Sequence, residues 1–427
     1  MGPVSADPPG SKSWLVLLLA AALAWHVLAV VGPEKPNPPE GSVGRDYATY
    51  HYAVRVALDG GDPYDTAQLN DAAEIDGWRG RPVHPLLYPP ASLLGVVWAA
   101  GLPLPQAATV FRLLGELGLL LGLLSIVRWW APLGWTRVLA LLAASLALMS
   151  GVAYGVHLGQ ANAHVWGLTL AGLALADDDR PARQAVGGGL VAMAILGKLA
   201  PAAFLGVWVL ERRWTALGSA VGVTVVGGVL SWFVVGGPGQ AHFFAEVLPS
   251  LSSGAYNGLT IRIGLLGNHS IPALLDHLFP GDGQTLGPPA RAGAFVVTNA
   301  LGVVLAAVFR APAADRTAMA GRVGAVGVAL LLVPVYTFEH HLLWAIPGLV
   351  ACGAAARNGR LPLGATLAVG VSAAVLCAPI VPLRRLHGWM ESFGAGPALL
   401  VEELKLGALL VVFGACAWLG RTVTREE

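Results

Sequence analysis

The amino-acid sequence predicts an all-α, polytopic integral membrane protein, and two observations lead to that prediction. The first is composition: of 427 residues, 55% are hydrophobic and 12% are charged, and the mean hydropathy is +0.65. An ordinary soluble domain has about 25% charged residues. The second is that the apolar residues form runs long enough to cross, as helices, a hydrocarbon layer about 30 Å thick. A water-soluble fold would leave too much of this apolar surface exposed.

About eleven or twelve such runs stand between charged breaks or breaks rich in proline and glycine. They lie near residues 14–31, 86–102, 107–127, 136–156, 160–176, 186–209, 214–235, 291–309, 322–337, 341–356, 362–380 and 399–420. Tryptophans gather near their ends, as is typical of helices that meet the headgroup layer. The first run could also be a signal peptide. Its length, the absence of a small-residue cleavage site and the many later runs favour an uncleaved helix.

Lysine and arginine clusters give the orientation, because cytoplasmic loops carry an excess of these residues. The clusters that fit one cytoplasmic side are Lys12, Arg212 with Arg213, Arg310 with Arg316 and Arg322, Arg357 with Arg360, and Arg421 with Arg425. Both termini then lie in the cytoplasm. The segments 32–85 and 237–290 become two large extracytoplasmic loops of a single multi-span domain, 1–427.

This orientation has one conflict, since it places Arg180 and Arg183 outside, where the positive-inside rule disfavours them. We therefore expect one helix within 86–200 to be broken or re-entrant. The net charge is +1, so the overall charge does not indicate binding to nucleic acid. The three cysteines lie in apolar runs without the spacing of a metal site or a redox pair.

Polar residues gather first in the loop 32–85. Aromatic and apolar residues at helical spacing predict a short amphipathic helix over 46–59 at the outer membrane interface, ended by Gly60-Gly61 and Pro63. Asp46 stands at its start. A carboxylate at that position could cap the helix by accepting backbone N–H bonds. Alternatively, it could act as a general base that accepts a proton from a hydroxyl just above the membrane.

Two further polar groups adjoin the next apolar runs. Tyr88 precedes Pro89-Pro90, a pattern typical of a rigid entry into a helix with proline in its first turn. Gln160 and Asn162 lie in a hinge between two runs, flanked by histidines. Their amides either complete a helix–helix turn or hold the hydroxyls of a sugar by paired donors and acceptors.

Lys198 and a pair of late histidines are the other candidates for ligand binding. Lys198 lies inside an apolar run, where a cation needs an anionic partner such as a lipid phosphate, or a route to the interface. His340 and His341 stand at the outer end of a run, with Arg262 and Asn268 in the loop 237–290. The spacing of a metal site is absent, so these groups favour phosphate or sugar hydroxyls over a metal ion.

In their order along the chain, these residues resemble glycosyltransferase family 87 (DUF2029), membrane enzymes of the GT-C fold that include polyprenyl-phosphate-mannose-dependent α-mannosyltransferases. The resemblance covers most of residues 40–345, and no motif lies beyond about 360. The residues that carry it are Asp46, Tyr50, Leu58-x-Gly60-x-Asp62-Pro63-Tyr64, Tyr88-Pro89-Pro90, Gly159-Gln160-x-Asn162, Lys198-x-x-Pro201 and His340-His341. The family implies a GT-C-like fold with an acidic base in the first extracytoplasmic loop, a position that Asp46 matches. Arg45, immediately before it, could lower its basicity.

The resemblance implies transfer of a hexose, most often mannose, from a polyprenyl-phosphate sugar to an extracytoplasmic lipid or glycan acceptor, without a cofactor. Direct attack with Asp46 as base would invert the anomeric centre. Lys198, Arg262 and His341 are then candidates for the phosphate, and Gln160, Asn162 and His340 for the sugar or acceptor. Tyr50, Asp62, Tyr64, Tyr88 and Asn268 complete the expected binding residues. We expect the protein in a cell membrane, the bacterial plasma membrane, with its active side outside.

Two other functions are compatible with many helices and buried polar groups. A transporter or flippase of a lipid-linked or polar substrate would place its site near the mid-membrane and show two matching halves, and no such internal symmetry is visible in the sequence. A non-catalytic subunit of an envelope-assembly complex would use the polar loops for docking. Sugar transfer from a labelled polyprenyl-phosphate sugar separates all three.

Overall fold

The computed structural model describes residues 13–31, 44–78, 82–130, 150–259 and 261–421. Within these segments the chain forms helices and no strand, which confirms the predicted all-α class. Parts of three sequence predictions lie outside the described residues: the start of the first large loop (32–43), most of the run 136–156, and the terminal basic residues Lys12 and Arg425.

The first half of the chain contains nine α-helices among the described residues. They are α1 (Ser13–Val31), α2 (Arg45–Leu58), α3 (Thr66–Ile75), α4 (Leu104–Trp130), α5 (Ser150–Leu158), α6 (Asn162–Ala176), α7 (Pro181–Gly197), α8 (Ala203–Leu210) and α9 (Trp214–His242). Helix α9 bends at Gly236, where the backbone leaves the helical region two residues before Pro238. It continues through a π-helical turn into the second large loop.

The second half, over the described residues to 421, contains eight further helices. They are α10 (Ile271–Leu278), α11 (Pro288–Val308), α12 (Arg316–Leu332), α13 (Ile346–Arg357), α14 (Leu363–Cys377), α15 (Ile380–Glu391), α16 (Ala395–Glu402) and α17 (Leu404–Gly420). Of the described helices, α4, α9 with its continuation to Ser250, and α11 are long and apolar enough to cross a membrane. The count is four if α14 and α15, bent by 97°, form one span. The protein is thus a multi-pass membrane protein.

Contacts between loops define two ends of the helix bundle. At one, which we call the basic end, Arg213 lies 3.4 Å from Asp177, and buried Arg322 pairs with Glu211 at 2.5 Å. The backbone carbonyl of Gly420 accepts from Arg322 at the same end. The sequence assigned the basic clusters around residues 212, 316, 357 and 421 to one side of the membrane. In the described residues, these four clusters lie at one end of the bundle.

The opposite end, which we call the cavity end, collects the polar motifs. Asp46 meets Gln160 there, Lys198 meets Asn162, and Lys405 meets Glu339. These contacts join segments more than 30 residues apart in sequence. The packing of the helices thus concentrates the chemically capable side chains at one end of the bundle.

The predicted span 86–102 is wrong. Residues 82–89 are non-helical, and two short 3-10 helices follow, Pro90–Gly95 and Val97–Ala99. Proline lacks the N–H that an α-helix needs and restricts the residue before it, so the Pro85 and Pro89-Pro90 positions prevent one continuous helix. Most of the apolar side chains of this run are at least partly buried in the protein, and Leu86 and Leu93 are fully so. The run is therefore apolar because it packs against other helices.

The predicted span 186–209 is also wrong, because the run folds as two antiparallel helices. Helix α7 rises from the basic end, the chain turns at Lys198, and α8 returns so that Arg213 meets Asp177 again. The run 86–102 does not form a continuous helix along the bundle, and the run 186–209 passes along it twice. Residues 177–183 therefore lie at the basic end. Arg183 pairs there with Asp178. Arg180 and Arg183 therefore lie at the same end as the other basic clusters, which corrects their expected separation from those clusters and removes the conflict with the positive-inside rule.

Candidate active site

A cavity of about 340 Å³ opens at the cavity end of the bundle. Its walls come from α2, the segment before Pro90, the turn between α7 and α8, the second large loop, and the chain from the end of α12 to Trp344. Six residues predicted from the sequence line it: Asp46, Tyr88, Gln160, Lys198, His340 and His341. Motifs spread over nearly 300 residues of sequence therefore meet around one space.

Asp46 belongs to the first turn of α2, whose N-cap is Gly44 with a φ of 69° and without a side-chain cap bond. The capping interpretation of Asp46 is therefore wrong. Its carboxylate faces the cavity, where Oδ2 accepts a hydrogen bond of 2.5 Å from Nε2 of Gln160. The His84 Nε2 lies 3.9 Å from Oδ1. The rest of α2 is almost wholly buried, so it is an integral part of the bundle and does not merely rest on the interface.

Burial raises the pKa of the Asp46 carboxyl above its ordinary value, because desolvation disfavours the charged form. The hydrogen bond from Gln160 and, to a smaller extent, the charge of Arg45 oppose that rise. Arg45 thus acts in the expected direction, but burial outweighs its effect on the pKa of Asp46. A carboxylate with a raised pKa is a better proton acceptor than one in water.

A short chain of hydrogen bonds fixes the amide that faces Asp46. Tyr88 donates its hydroxyl to Oε1 of Gln160 at 3.4 Å, which leaves Nε2 of the amide for the carboxylate. Tyr50 stacks on the Tyr88 ring with centroids 4.9 Å apart. Tyr50 is buried outside the cavity lining, so it supports the position of Tyr88.

Gly159 allows the hinge that carries Gln160 to approach α2. Its φ of 77° lies in the left-handed region, and a Cβ there would come within 2.6 Å of the Cβ of Tyr47. The backbone N–H of Gly44 donates to the carbonyl of His157 at 3.2 Å beside it. A side chain at position 159 would therefore push the amide of Gln160 away from Asp46.

Lys198 supplies a cation to the same cavity. Its ammonium donates a hydrogen bond of 2.8 Å to Oδ1 of Asn162 and lies 5.9 Å from the centroid of the Tyr88 ring. Within the part of the chain that the structure describes, no carboxylate lies within 4.0 Å of this ammonium. A half-buried cation held by a neutral amide is suited to bind an anion.

His340 and His341 belong to the 3-10 helix Glu339–Ala345, and their ring centroids are 4.2 Å apart. The backbone N–H of Phe338 donates to Nδ1 of His341 at 3.0 Å. A neutral imidazole whose Nδ1 accepts carries its proton on Nε2. His341 is thereby held as a hydrogen-bond donor at the cavity wall.

The remaining predicted site residues lie behind the cavity or away from it. Asp62 contacts His242 at 2.6 Å and accepts from the N–H of Tyr64, whose hydroxyl donates to the Tyr88 carbonyl. Asn268 is buried and donates to the carbonyls of two loop residues. Arg262 is exposed on the second large loop and does not line the cavity.

Several lining residues have no strong signal in the sequence. Thr49 lies one helical turn after Asp46, so helical spacing alone could have indicated it. His84 precedes the Tyr88 motif but gained its significance only from its distance to Asp46. Tyr256 and Tyr336 meet edge to face with centroids 4.7 Å apart, from separate segments without a common pattern.

Much of the cavity wall is apolar. Its apolar members include Leu199, Leu251, Leu259, Ile261, Leu330, Leu331, Pro334 and Trp344. A carboxylate, a cation and hydrogen-bond donors therefore share one cavity with side chains suited to hydrocarbon. This combination fits a ligand with a polar head and an apolar tail.

A multi-pass membrane protein with a carboxylate, amide, lysine and histidine cavity at one end of its bundle is consistent with a membrane glycosyltransferase. A sequence model of glycosyltransferase family 87 matches residues 86–334. The chain belongs to glycosyltransferase family 87, as its motifs predicted.

Solved structures that resemble the chain do so at low sequence identity. The crystal structure of ArnT from Cupriavidus metallidurans bound to undecaprenyl phosphate has a TM-score of 0.43 and 16% identity, covering 96% of this chain and 77% of ArnT. Its apo state gives 0.42 and 18%, with the same coverage. The oligosaccharyltransferase AglB from Archaeoglobus fulgidus, in complex with an inhibitory peptide and a dolichol-phosphate, gives 0.38 and 13%, covering 98% of this chain and 57% of AglB. No curated protein matches the sequence.

Proposed function

We propose that this glycosyltransferase moves a hexose, mannose in the first instance, from a polyprenyl-phosphate sugar to a lipid or glycan acceptor outside the bacterial plasma membrane. The main support for this proposal is that two amides, two residues apart in sequence, hold a base and a cation at one cavity. Gln160 bonds Asp46, and Asn162 bonds Lys198. One hinge thus fixes a base and a cation relative to each other. Transfer from a phosphate leaving group requires that pair of groups.

The reaction is a single displacement at the anomeric carbon. The oxygen of the acceptor hydroxyl forms the new bond as the bond from the anomeric carbon to the phosphate oxygen breaks. The hydroxyl proton passes to Asp46, and polyprenyl phosphate leaves with the electron pair. Attack opposite to the leaving group inverts the anomeric centre.

Lys198 and His341 are assigned to the phosphate. The ammonium of Lys198 has no carboxylate partner within 4.0 Å among the described residues, and His341 is held as a donor. Positive charge and donors stabilise the charge that develops on the leaving oxygen. Gln160 and His340 face the sugar or the acceptor. Asn162 lies behind the cavity lining and acts through the ammonium of Lys198 that it holds, while Tyr50, Tyr64 and Asp62 support the wall from behind. Asn268 and Arg262 lie away from the cavity and belong to the second large loop, where Asn268 bonds the backbone.

The location of the site follows from the charge distribution. The arginine clusters at the basic end support, by the positive-inside rule, a cytoplasmic location for that end and for both termini. The cavity end, with the loops 32–85 and 237–290, then lies outside. Nucleotide sugars are cytosolic. Outside the membrane, a lipid-linked sugar supplies the activated carbon instead. The apolar wall of the cavity accommodates the start of its prenyl chain.

Sugar transfer by the purified chain in lipid nanodiscs tests this function. The donor is a labelled polyprenyl-phosphate mannose, offered with membrane lipid extract as the source of acceptor, and the product is separated from the donor. We expect labelled product from the wild-type chain and a loss of about 100-fold in Asp46→Asn. Movement of the intact donor between leaflets without transfer would instead establish a flippase. The absence of both activities would indicate a non-catalytic subunit.

A further inference from the structure

A second polar cluster lies directly behind the two cavity histidines. Glu339, which precedes His340, accepts hydrogen bonds from the Lys405 ammonium at 2.6 Å and 2.8 Å. Nε2 of His269 lies 2.9 Å from the same carboxylate. Lys405 is only 1% exposed and donates in addition to the carbonyl of Ala378 at 2.8 Å.

This cluster joins four parts of the chain. Lys405 belongs to the first turn of α17, Ala378 follows α14, His269 comes from the second large loop, and Glu339 begins the turn that carries His340 and His341. None of its four members lines the cavity. Their contacts therefore reach the cavity through the turn that carries His340 and His341.

The turn is also fitted tightly against α5. A Cβ at Gly155 would lie 2.7 Å from that of His340, so the absence of a side chain lets the turn pack there. The bonds between Phe338 and His341, 2.8 Å and 3.0 Å long, close the turn on itself. A compact turn that packs against α5 and is bonded to Lys405 has little freedom to shift.

We propose that Lys405 is a positioning residue of the donor side of the active site, and that the C-terminal segment is required for transfer through its ion pair with Glu339. The inference rests on the proposed function, since it concerns how His340 and His341 meet the donor. It assigns a role to a residue beyond position 334, where the family match ends, and in a region without a sequence motif.

The physical argument is that a buried ammonium persists only when its partners compensate for lost hydration. Here three acceptor atoms do so, and two belong to Glu339. Removal of the ammonium leaves the Glu339 carboxylate with His269 alone, so the turn relaxes. A displacement of about 1 Å at a positioning element costs up to about 100-fold in rate.

The experiment is a double-mutant cycle on the full chain in nanodiscs with Lys405→Met, Glu339→Gln and the pair together. Each single variant leaves one buried charge without its partner, whereas the pair is neutral. We expect Lys405→Met to lower kcat by about 10- to 100-fold and to raise the donor KM, with the acceptor KM unchanged. The double variant should perform better than either single variant.

Arg322→Met is the matched control, because Arg322 forms a buried ion pair with Glu211 at the basic end, away from the cavity. It should lower thermal stability without raising the donor KM. Wild-type kinetics in folded Lys405→Met, or an equal rise of the donor KM in Arg322→Met, would overturn the proposal. If Lys405→Met does not fold, the isosteric Glu339→Gln decides, since it should raise the donor KM by itself.

Hydrogen–deuterium exchange supplies a readout that needs no turnover. The amides of residues 338–345 should exchange faster in Lys405→Met and regain protection in the double variant. Unchanged exchange in this segment would contradict the positioning role even if the chain transfers no sugar. Failure of wild-type transfer with the expected exchange pattern would instead reject only the proposed function.

Discussion

The amide of Gln160 donates a hydrogen bond to the carboxylate of Asp46, with Nε2 and Oδ2 2.5 Å apart, across 114 residues of sequence. The bond stabilises the charged form of the carboxylate in a place where burial destabilises it. Gln160 therefore extends to lower pH the range in which Asp46 is able to accept a proton.

The first prediction concerns that pH range. A base is active only when deprotonated, so the transfer rate should fall as pH falls through the raised pKa of Asp46. Gln160→Leu removes the largest influence that lowers this pKa, and Arg45→Gln removes a smaller one. Both variants should move the acid limb of the kcat/KM profile to higher pH, Gln160→Leu further. A shift in the opposite direction, or a larger shift in Arg45→Gln, would contradict the assignment.

The second prediction separates catalysis from stability. Asp46→Asn keeps the shape of the side chain and removes its basicity, so the rate of transfer should fall about 100-fold or more at unchanged thermal stability. Asp62→Asn is the contrast, because Asp62 lies outside the cavity lining and holds the N–H of Tyr64 and His242. It should lower the free energy of unfolding by about 1–3 kcal/mol. Equal losses of rate in folded forms of both variants would remove the distinction.

The third prediction concerns the phosphate of the donor. Lys198→Met removes the cavity cation. The donor KM should rise about 10- to 100-fold, because a hydrogen bond to a charged group usually contributes that factor to binding. Inhibition by free polyprenyl phosphate should weaken by a similar factor. Asn162→Ala removes the amide that holds the ammonium and keeps the charge, so its effect should be smaller. An unchanged inhibition constant in Lys198→Met would exclude this lysine from phosphate binding.

The fourth prediction tests the corrected topology. Asp179 and Ser252 are both exposed, at the basic end and in the second large loop respectively. In a background with the three native cysteines replaced, Ser252→Cys should react with an impermeant maleimide in intact cells. Asp179→Cys should react only after the membrane is opened. Labelling of Asp179→Cys in intact cells would restore the topology that the sequence alone suggested.

The sequence predicted the all-α class and six residues around the cavity because both depend on local patterns. Apolar runs indicate helices, and Asp46, Gln160 and Lys198 attract notice as polar groups beside such runs. The helix expected over 46–59 is found at Arg45–Leu58 and ends before Gly60 as predicted.

The errors came from hydropathy, which measures how apolar a run is and not where its backbone turns. The run 86–102 is apolar because it is buried in the protein. The run 186–209 is long enough for one span yet contains two helices. Contacts such as Lys405 with Glu339, and His84 with Asp46, join distant segments and leave no spacing to read.

The helical hairpin of α7 and α8 also constrains how the chain enters the bilayer during synthesis. Helix α8 has eight residues, about 12 Å of helix, and cannot by itself cross a layer about 30 Å thick. It must therefore be inserted together with α7, with Lys198 leading at the tip of the hairpin. A chain that stopped halfway would leave this ammonium in hydrocarbon, at a cost of roughly 3 kcal/mol. The cation that we assign to the donor phosphate would thus also favour complete insertion of the segment that carries it.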